Sequence, residues 1–309
     1  MRRSTSATPI HPPTLSSTRP EFVCAHYSVC TPSAFSCHAH QPTSPRANAP
    51  RYKEFGRLLR NQIVDGVSYL HAEIGLGKKI LVEGANAALL DIDFGTYPYV
   101  TSSSTTVGGV CTGLGVAPKM IDCTIGVVKA YCTRVGNGPF PTELDDAVGE
   151  HFRAIGHEFG TTTGRARRCG WLDVPMLRYS HRLNGYDSVN LTKLDVMTGL
   201  PTIKVCTHYR IGDRILPDGY MPASLEQFAA VEPVYLELPG WTEDISKVER
   251  FEDLPANAKR YLWKLEMLMG VPISWVGVGP DRDSMFLMPQ FLGTADAGSG
   301  KSAPGGLAK

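Results

Sequence analysis

Short apolar segments alternate with segments of helical period along most of the chain, and this alternation limits the fold more than any other feature of the sequence. The strand-like segments are 80–82, 188–196, 202–216 and 272–279. The third is predicted to be a hairpin that turns at Gly212 and Asp213, and the fourth is predicted to be the last strand. Strands that alternate with helices of about 10 to 15 residues predict a mixed α/β fold, with a largely parallel sheet flanked by helices.

Four segments have apolar residues three and four positions apart, which is typical of amphipathic helices. The first is predicted to be one continuous helix that ends near Gly75 and Gly77 and has its apolar positions at Phe55, Leu59, Ile63, Val67, Leu70 and Ile74. The second helix is predicted to have Thr142 as its N-cap and to run to Ile155. The third is predicted to extend from Asp173 to Gly185, and the fourth to cover 261–268 before Gly270.

Two terminal segments have compositions that do not support a packed core. Residues 1–50 are rich in Ser, Thr, Pro and Arg, and Glu21 is their only acidic residue. We predict a disordered leader here, which is either an organelle transit peptide or the product of a mistaken gene-model start, since both have this composition. Residues 293–309 are small and polar, which predicts a flexible tail. A folded domain is therefore expected over 51–292.

Charge, hydropathy and cysteine spacing argue against several function classes. The chain of 309 residues has 31 Lys and Arg against 30 Asp and Glu, so it offers no basic field to a nucleic acid. No apolar run reaches the ~18 residues that a membrane span needs. None of the eight Cys forms a pair at the spacing of a zinc or redox site, and the Cys and His of 1–50 match no structural zinc pattern. We therefore expect no nucleic acid, no membrane and no metal site.

The sequence TKLD at 192–195 lies where the predicted short strand of 188–196 opens into a loop. The carboxylate of Asp195 can accept two hydrogen bonds from the N1 and N2 donors that guanine has and adenine lacks, and the stem of Lys193 can lie against the base. A Lys and an Asp two positions apart are also common as surface charge on a loop. The motif alone leaves guanine recognition and a solvated loop both open.

The sequence GTTTGRARRCGW at 160–171 places three Thr between glycines, ahead of Arg165, Arg167 and Arg168. Backbone N–H groups, hydroxyls and guanidinium groups can converge there on one anion, because Arg matches a carboxylate or a phosphate in a bidentate way. This chemistry favours an anion site over the alternative, a helix-terminal loop with solvated arginines.

Three further loops are suited to carry polar groups to a ligand. They are LDIDFGTYPYVTSS at 90–103, TRVGNGPFPTE at 133–143 and GVGPDRD at 277–283. Asp91 and Asp93 in the first of them suggest a metal or an acid–base pair. Carboxylates two apart on an extended segment face opposite ways, however, so a capping or turn role is favoured.

These five strings resemble adenylosuccinate synthetase, the family that joins aspartate to IMP with GTP. The likeness runs from about Tyr52 to Met288, and the strings occur in the order and at the spacings of the family. The resemblance implies a P-loop-NTPase-like α/β fold that is truncated at its N-terminus. It implies a GTP-dependent C–N ligase that forms adenylosuccinate in AMP biosynthesis.

The resemblance also implies roles for individual residues. IMP is expected to contact Asn86, Thr101, Val135 and Arg165. Aspartate is expected to contact Thr161, Thr162, Thr163, Gly164, Arg165, Ala166 and Arg167. GTP is expected to contact Arg167, Lys193, Leu194, Asp195, Gly277, Val278 and Gly279. Asn86 stands where the family carries Gln, one methylene longer, so its amide contact with IMP is expected to be lengthened or lost.

Family members begin with a Gly-rich phosphate loop that bears a catalytic aspartate and a Mg²⁺ ligand, followed by a histidine acid, and none of these motifs is found before Tyr52. In the family the aspartate deprotonates IMP, O6 attacks the γ-phosphate, and the amine of the substrate aspartate displaces phosphate. Such phosphoryl transfer depends on positioning and charge neutralisation. The resemblance therefore assigns no catalytic residue and no Mg²⁺ ligand to this chain, which is expected to be the C-terminal two-thirds of the enzyme and inactive alone.

The expected partners are GTP, IMP and L-aspartate, with Mg²⁺ as the cofactor and a homodimer as the assembly. A non-catalytic nucleotide-binding or dimerisation module of the same family stays open as the alternative. A guanine-specific GTPase switch is disfavoured because the chain has no GxxxxGK[ST] loop; the GSGKS at 298–302 lacks the first glycine. The family default predicts the cytoplasm, and a plastid or mitochondrion follows if residues 1–50 are a transit peptide.

Overall fold

A computed structural model describes residues 22–27, 45–160 and 164–292. Its helices are α1 (Pro45–Leu59), α2 (Gly66–Gly75), α3 (Val107–Leu114), α4 (Ala147–Ile155), α5 (Val174–Asn184), α6 (Leu225–Ala229) and α7 (Ala256–Met269). Its strands are β1 (Phe22–Tyr27), β2 (Lys79–Gly84), β3 (Ile125–Lys129), β4 (Cys132–Arg134), β5 (Arg168–Gly170), β6 (Leu172–Asp173), β7 (Ser188–Thr192), β8 (Thr202–Ile211), β9 (Arg214–Ile215), β10 (Glu232–Pro239), β11 (Ile273–Gly277) and β12 (Met285–Leu287). The described residues divide into two compact units, 22–27 with 45–83 and 84–160 with 164–292.

The first unit holds α1, α2 and a two-stranded sheet of β1 and β2. The predicted continuous helix from Phe55 to Ile74 is wrong, because two helices cover this segment with an interruption between them. The side chain of Asp65 accepts hydrogen bonds from the backbone N–H and the hydroxyl of Ser68, and so caps the start of α2. The strand at Phe22–Tyr27 and the start of α1 at Pro45 also give regular structure to parts of 1–50, where we expected none.

The second unit is built on a sheet with the strand order β12-β11-β7-β3. The strands β3, β7 and β11 are parallel, and β12 adds an antiparallel edge. This confirms the predicted mixed α/β class with a largely parallel sheet flanked by helices. The prediction that 272–279 is the last strand is wrong, because the three residues of β12 follow it. Their pairing with β11 comes from tertiary contact, since so short a segment carries no periodic signal.

A second sheet in this unit is mostly antiparallel, with β10 beside β8, β8 beside β6, and β9 paired with β8. The pair β8–β9 confirms the hairpin predicted at Gly212 and Asp213. Residues from both sheets, α4 and α7 form the main apolar core, with Phe152, Leu191, Ile203, Leu262 and Ile273 fully buried. A core of this kind fixes the ends of the strands from which the functional loops leave.

The helices of the second unit show where capping could be read from sequence. Asp173 caps α5 by accepting from the N–H of Met176, and Gly185 ends that helix with a positive φ of 61°, as predicted. Thr142 does not cap α4, because its side chain is fully buried and Asp146 accepts instead from the N–H groups of Val148 and Gly149. Across the described residues, we find no helix with both the length and the apolarity of a membrane span.

Candidate functional site

The carboxyl ends of three parallel strands bring the predicted guanine-binding segments together. The strand register places Lys129 of β3 beside Thr192 of β7, and Leu191 of β7 beside Val276 of β11. A Cβ added at Gly277 would lie 3.4 Å from the Cα of Thr192, so the loops after β7 and β11 start side by side. In α/β folds, ligands bind outside the carboxyl ends of the strands. The second unit therefore presents its candidate site at this edge.

The loop after β7 begins with an unusual backbone turn. Lys193 has a φ of 60° and a ψ of 35°, the left-handed conformation, and the chain then enters a 3-10 turn over Leu194–Met197. Leu194 is fully buried and anchors the turn in the core. This geometry leaves Lys193 and Asp195 half-buried at the mouth of the loop.

Asp195 has a carboxylate oxygen with unmet hydrogen-bonding capacity. Its Oδ1 is buried and has no hydrogen-bond partner among the described residues. Burial raises the pKa of this carboxyl, and the Lys193 charge and nearby backbone N–H groups only partly oppose the shift. A buried acceptor without a donor costs free energy of about 1 to 3 kcal/mol, which a ligand with N–H donors can recover.

The loop after β11 has a compact turn that depends on glycine. Val278 is fully buried, and its N–H donates to the carbonyl of Ser284 over 2.9 Å. A Cβ added at Gly279 would lie 2.9 Å from the Cβ of Ser284, so only glycine fits there without movement. Gly277, Val278 and Gly279 thus form a rigid wall next to the TKLD loop.

Glu158 lies at the centre of a charged cluster that the sequence did not reveal. Its carboxylate accepts from the Nζ of Lys129 at 2.8 and 2.9 Å, from the hydroxyl of Tyr131 at 2.6 Å, from Nη1 of Arg167 at 2.7 Å and from the Nζ of Lys193 at 3.1 Å. The Glu158 side chain is 0% exposed. The three cationic side chains remain 27% to 34% exposed, so the cluster shows a net positive face to solvent.

Burial and neighbouring groups shift the pKa values of Glu158 and Lys129 within this cluster. Burial by itself raises the pKa of Glu158, but hydrogen bonds from Lys129, Tyr131 and Arg167 outweigh it and lower the pKa to about 2. Burial lowers the pKa of Lys129, and the charges of Lys193 and Arg167 act in the same direction against the attraction of Glu158. Glu158 is therefore ionised at neutral pH and holds the three cations together.

The described residues of the threonine–arginine segment lie on a hairpin-like loop whose base is formed by Glu158 and Arg167. The N–H of Arg167 donates to the carbonyl of Glu158 over 2.8 Å, Phe159 pairs with Ala166, and the N–H of Gly160 donates to the carbonyl of Arg165 over 2.8 Å. Gly164 follows with a φ of 64° and is exposed, as are Arg165 and Ala166. The predicted aspartate residues Thr161, Thr162 and Thr163 lie outside the described residues.

Two of the predicted IMP residues, Thr101 and Val135, lie on two loops that Arg134 joins. Arg134 is buried, donates from Nη2 to Thr96 Oγ1 at 2.9 Å and from Nε to the carbonyl of Asn137 at 3.0 Å. The first bond reaches the loop that carries Thr101, which is half-buried. The second fixes the loop that carries Val135, whose side chain is 62% exposed and free to contact a ligand.

Two further interactions shape these loops. Asp91 accepts from the N–H groups of Asp93, Phe94 and Thr105, which confirms a turn role for this buried carboxylate. Asn86 is exposed just before the 3-10 turn at Ala88–Leu90. The Lys129 Nζ also donates to Thr133 Oγ1 at 3.0 Å and so connects the Glu158 cluster to the start of the Val135 loop.

Lys193 and Arg167 thus donate to the same carboxylate, that of Glu158, and Gly277 lies beside the TKLD loop. Sequence reasoning missed Glu158 and Lys129, which lie in none of the five strings, and it gave no role to Arg134 within TRVGNGPFPTE. The described residues contain no group of three His, Cys, Asp or Glu that could hold a metal ion.

Backbone strain is concentrated at this cluster. Among the described residues, the non-glycine residues with positive φ are His157, at 51°, and Lys193, at 60°. His157 directly precedes Glu158, and Lys193 donates to it. Such conformations cost about 1 to 3 kcal/mol each and are found preferentially at functional sites.

Comparison with known proteins gives a consistent family. The sequence model described as adenylosuccinate synthetase matches residues 23–286, so the match begins within the predicted leader. Adenylosuccinate synthetase 1 of Laccaria bicolor is 56% identical over 248 residues, which cover 80% of this chain and 58% of that protein. The enzyme of that name from Paramecium tetraurelia is 55% identical over 228 residues, which cover 74% and 52%.

Among solved structures, the fully ligated adenylosuccinate synthetase from Plasmodium falciparum superposes with a TM-score of 0.78 at 48% identity. The match covers 79% of this chain and 58% of that one. The chain thus spans a little over half the length of these relatives. With a family match over most of its residues and relatives of more than 50% identity, this chain belongs to the adenylosuccinate synthetase family.

Proposed function

We propose that this chain supplies guanine-nucleotide and aspartate recognition to the reaction in which GTP drives the ligation of L-aspartate to IMP, giving adenylosuccinate. The observation that carries the proposal is the buried Oδ1 of Asp195, which has no hydrogen-bond partner in the described part of the chain and lies beside Lys193 at the carboxyl edge of the sheet. A carboxylate in this position selects a base with two adjacent N–H donors, and among purines guanine has them at N1 and N2.

In this proposal three segments enclose the guanine base. Asp195 accepts from N1 and N2, the aliphatic stem of Lys193 lies against one face, and Gly277, Val278 and Gly279 form the wall beside it. Leu194 contributes by holding the loop in the core. Support comes from the adjacency of the two loops and from the anchoring of the Lys193 ammonium group away from the base, on Glu158.

The hairpin tip is proposed to receive L-aspartate. Arg165 and the exposed tip around Gly164 and Ala166 offer a guanidinium group and backbone donors to a carboxylate. Thr161, Thr162 and Thr163 are proposed to add hydroxyl and N–H donors. Arg167 donates to Glu158, which also accepts from Lys193, and this supports a place for Arg167 at the border between the proposed aspartate and GTP sites.

IMP is proposed to lie along the loops that Arg134 joins. Thr101, the exposed Val135, Asn86 and Arg165 are the proposed contacts. Arg134 and Arg168 hold these loops without facing the ligand: Arg168 forms a two-point ion pair with Glu143 and donates to the carbonyl of Gly138 over 2.8 Å. The chemistry of this chain is therefore proposed to be binding and orientation of substrates.

Three further features belong to the proposal through the family. Mg²⁺ is proposed as the cofactor, to neutralise charge on the phosphates of GTP when it is bound. A homodimer is proposed as the assembly. The cytoplasm is proposed as the compartment, with a plastid or mitochondrion as the alternative if residues 1–50 act as a transit peptide.

Nucleotide titration of the chain tests the proposal. Isothermal titration calorimetry with GDP and with ADP should give binding at least about tenfold tighter for GDP, because adenine opposes Asp195 with an acceptor at N1. Equal affinity for the two nucleotides would contradict guanine recognition at Asp195.

A further inference from the structure

Glu158 cannot touch a ligand, yet it is bonded to residues of both proposed recognition loops. Its side chain is fully enclosed, whereas Lys193 belongs to the guanine loop and Arg167 to the hairpin. The Nζ of Lys193 has two acceptors, the carbonyl of Gly156 and Oε1 of Glu158. Both acceptors lie on the segment that leaves α4, so one short stretch of chain holds the end of the Lys193 side chain.

This anchoring has a direct consequence for the Lys193 stem. A lysine on an exposed loop samples many rotamers, and ordering its four-carbon chain costs conformational entropy. With Nζ bonded at one end and the backbone fixed in the left-handed conformation at the other, the methylenes are already ordered before a base arrives. Preorganisation of this kind raises affinity without adding a contact.

We infer that Glu158 is a positioning residue for guanine-nucleotide binding: it fixes the Lys193 stem and the Arg167 guanidinium group from within the protein. The guanine nucleotide in this inference rests on the proposed function, whereas the anchoring of Lys193 and Arg167 on Glu158 does not. Glu158 also joins the two recognition loops in one cluster, so a change at this residue reaches the guanine loop and the aspartate hairpin together.

The substitution Glu158→Gln separates charge from shape. Glutamine has nearly the same volume, but it replaces one acceptor oxygen with an N–H donor and removes the negative charge. Lys129, Lys193 and Arg167 then repel one another without a counter-charge, and each has a partly exposed path to solvent. The expected result is that Lys193 leaves the cluster and its stem leaves the proposed base site.

The first measurement follows Lys193 directly and needs no nucleotide. A short pulse of an amine-acetylating reagent, followed by peptide mass spectrometry, reports how freely the Nζ of each lysine reacts. Loss of a charge-assisted hydrogen bond should increase the modification rate of Lys193 by about tenfold in Glu158→Gln. Lys204, which pairs with Glu237 on the second sheet, is the internal reference and should react at the same rate in both proteins.

The second measurement is GDP affinity by calorimetry, at a temperature where circular dichroism shows each variant folded. Glu158→Gln should weaken GDP binding by about tenfold or more. The matched control is Glu266→Gln, which removes another half-buried carboxylate, one that accepts from the N–H of Ile273 at the opposite, amino end of β11. The control should change GDP affinity by less than about twofold, whatever its effect on stability.

The outcomes separate this inference from the proposed function. Unchanged modification of Lys193 in Glu158→Gln would overturn the inference, as would faster modification with unchanged GDP affinity. If the parent chain does not prefer GDP over ADP while Lys193 modification still depends on Glu158, the anchoring stands and guanine recognition fails. If Glu158→Gln does not fold, Glu158→Asp keeps the charge on a shorter stem, and unchanged Lys193 modification in that variant overturns the inference.

Discussion

The substitution Asp195→Asn is the sharpest test of how this chain would recognise a base. The change preserves the size of the side chain and the backbone turn, but it exchanges one carboxylate oxygen for an amide NH₂ group. In the parent, both oxygens can act only as acceptors, and Oδ1 is buried without a hydrogen-bond partner among the described residues. In the variant, one hydrogen-bond acceptor would become a donor that faces a donor of guanine.

The magnitude follows from the pairing at stake. Loss of one charge-assisted hydrogen bond and burial of an opposed donor pair together cost about 2 to 4 kcal/mol. At 1.4 kcal/mol per tenfold change, this weakens GDP binding by roughly thirty- to a thousandfold. Burial raises the pKa of Asp195, so its carboxylate gains a proton earlier when the pH is lowered. On acidification, the GDP affinity of the parent should therefore begin to fall at a higher pH than it would for an exposed aspartate.

The assay measures by isothermal titration calorimetry the affinities of two proteins, the parent and Asp195→Asn, for two ligands, GDP and IDP. IDP differs from GDP only in lacking the N2 amino group, so it removes one of the two donors that Asp195 would accept. The parent should bind GDP about tenfold more tightly than IDP, and Asp195→Asn should reduce this ratio toward one. A GDP-to-IDP ratio that stays the same in the variant would refute the contact between Asp195 and N2.

Three other predictions address the hairpin, the core and the glycine wall. Arg165→Leu should weaken L-aspartate binding by roughly ten- to a hundredfold in calorimetry with GDP and IMP present, whereas Thr161→Ala should cost only about fivefold, because a neutral hydroxyl contributes about 1 kcal/mol. Burial raises the pKa of Asp173 from 3.8 to about 7, against the bonds from Tyr209 and Met176. The folded state therefore binds this proton more tightly than the unfolded state, and the free energy of unfolding in urea should fall by up to about 4 kcal/mol as pH rises from 4 to above 7; Asp173→Asn should flatten that profile. Gly279→Ala should lower stability by about 1 to 3 kcal/mol in thermal unfolding, because the added Cβ meets the side chain of Ser284 at 2.9 Å.

Each of these has an outcome that would count against it. A larger loss of aspartate affinity from Thr161→Ala than from Arg165→Leu would make the hairpin arginine structural. A stability profile that keeps its slope in Asp173→Asn would assign the pH dependence to other groups. The double variant Gly279→Ala/Ser284→Gly should recover most of the lost stability, and failure to do so would mean that the close approach is not the cause.

The fold could be read from sequence where local signals agreed. The helix α5 has an acidic cap at Asp173 and a glycine stop at Gly185, and both its ends were predicted. The apolar period between Phe55 and Ile74 continues through Asp65, so period alone could not show that a cap interrupts it. Thr142 resembled a cap because its hydroxyl precedes a helical period, but tertiary burial excluded it from that role.

The site could be read from sequence only where its residues are neighbours in the chain. TKLD and GVGPDRD are contiguous motifs, and parallel pairing of β7 and β11 brings them together. Glu158 contacts Lys129 and Lys193 across 29 and 35 residues, distances at which no spacing rule applies. One local signal exists, because Glu158 and Arg167 flank a short segment that contains Gly160 and Gly164, as in a hairpin.

The two left-handed residues at the Glu158 cluster imply that this region is held against its own backbone preference. Lys193→Gly would relieve the strain at that residue, but it would also remove an ammonium group that pairs with the buried Glu158 carboxylate. The cost of the left-handed backbone at Lys193 is therefore offset by the charge that its side chain supplies. Backbone preference and charge pairing oppose each other at this one residue, so the sequence there is fixed by the side chain and not by the turn.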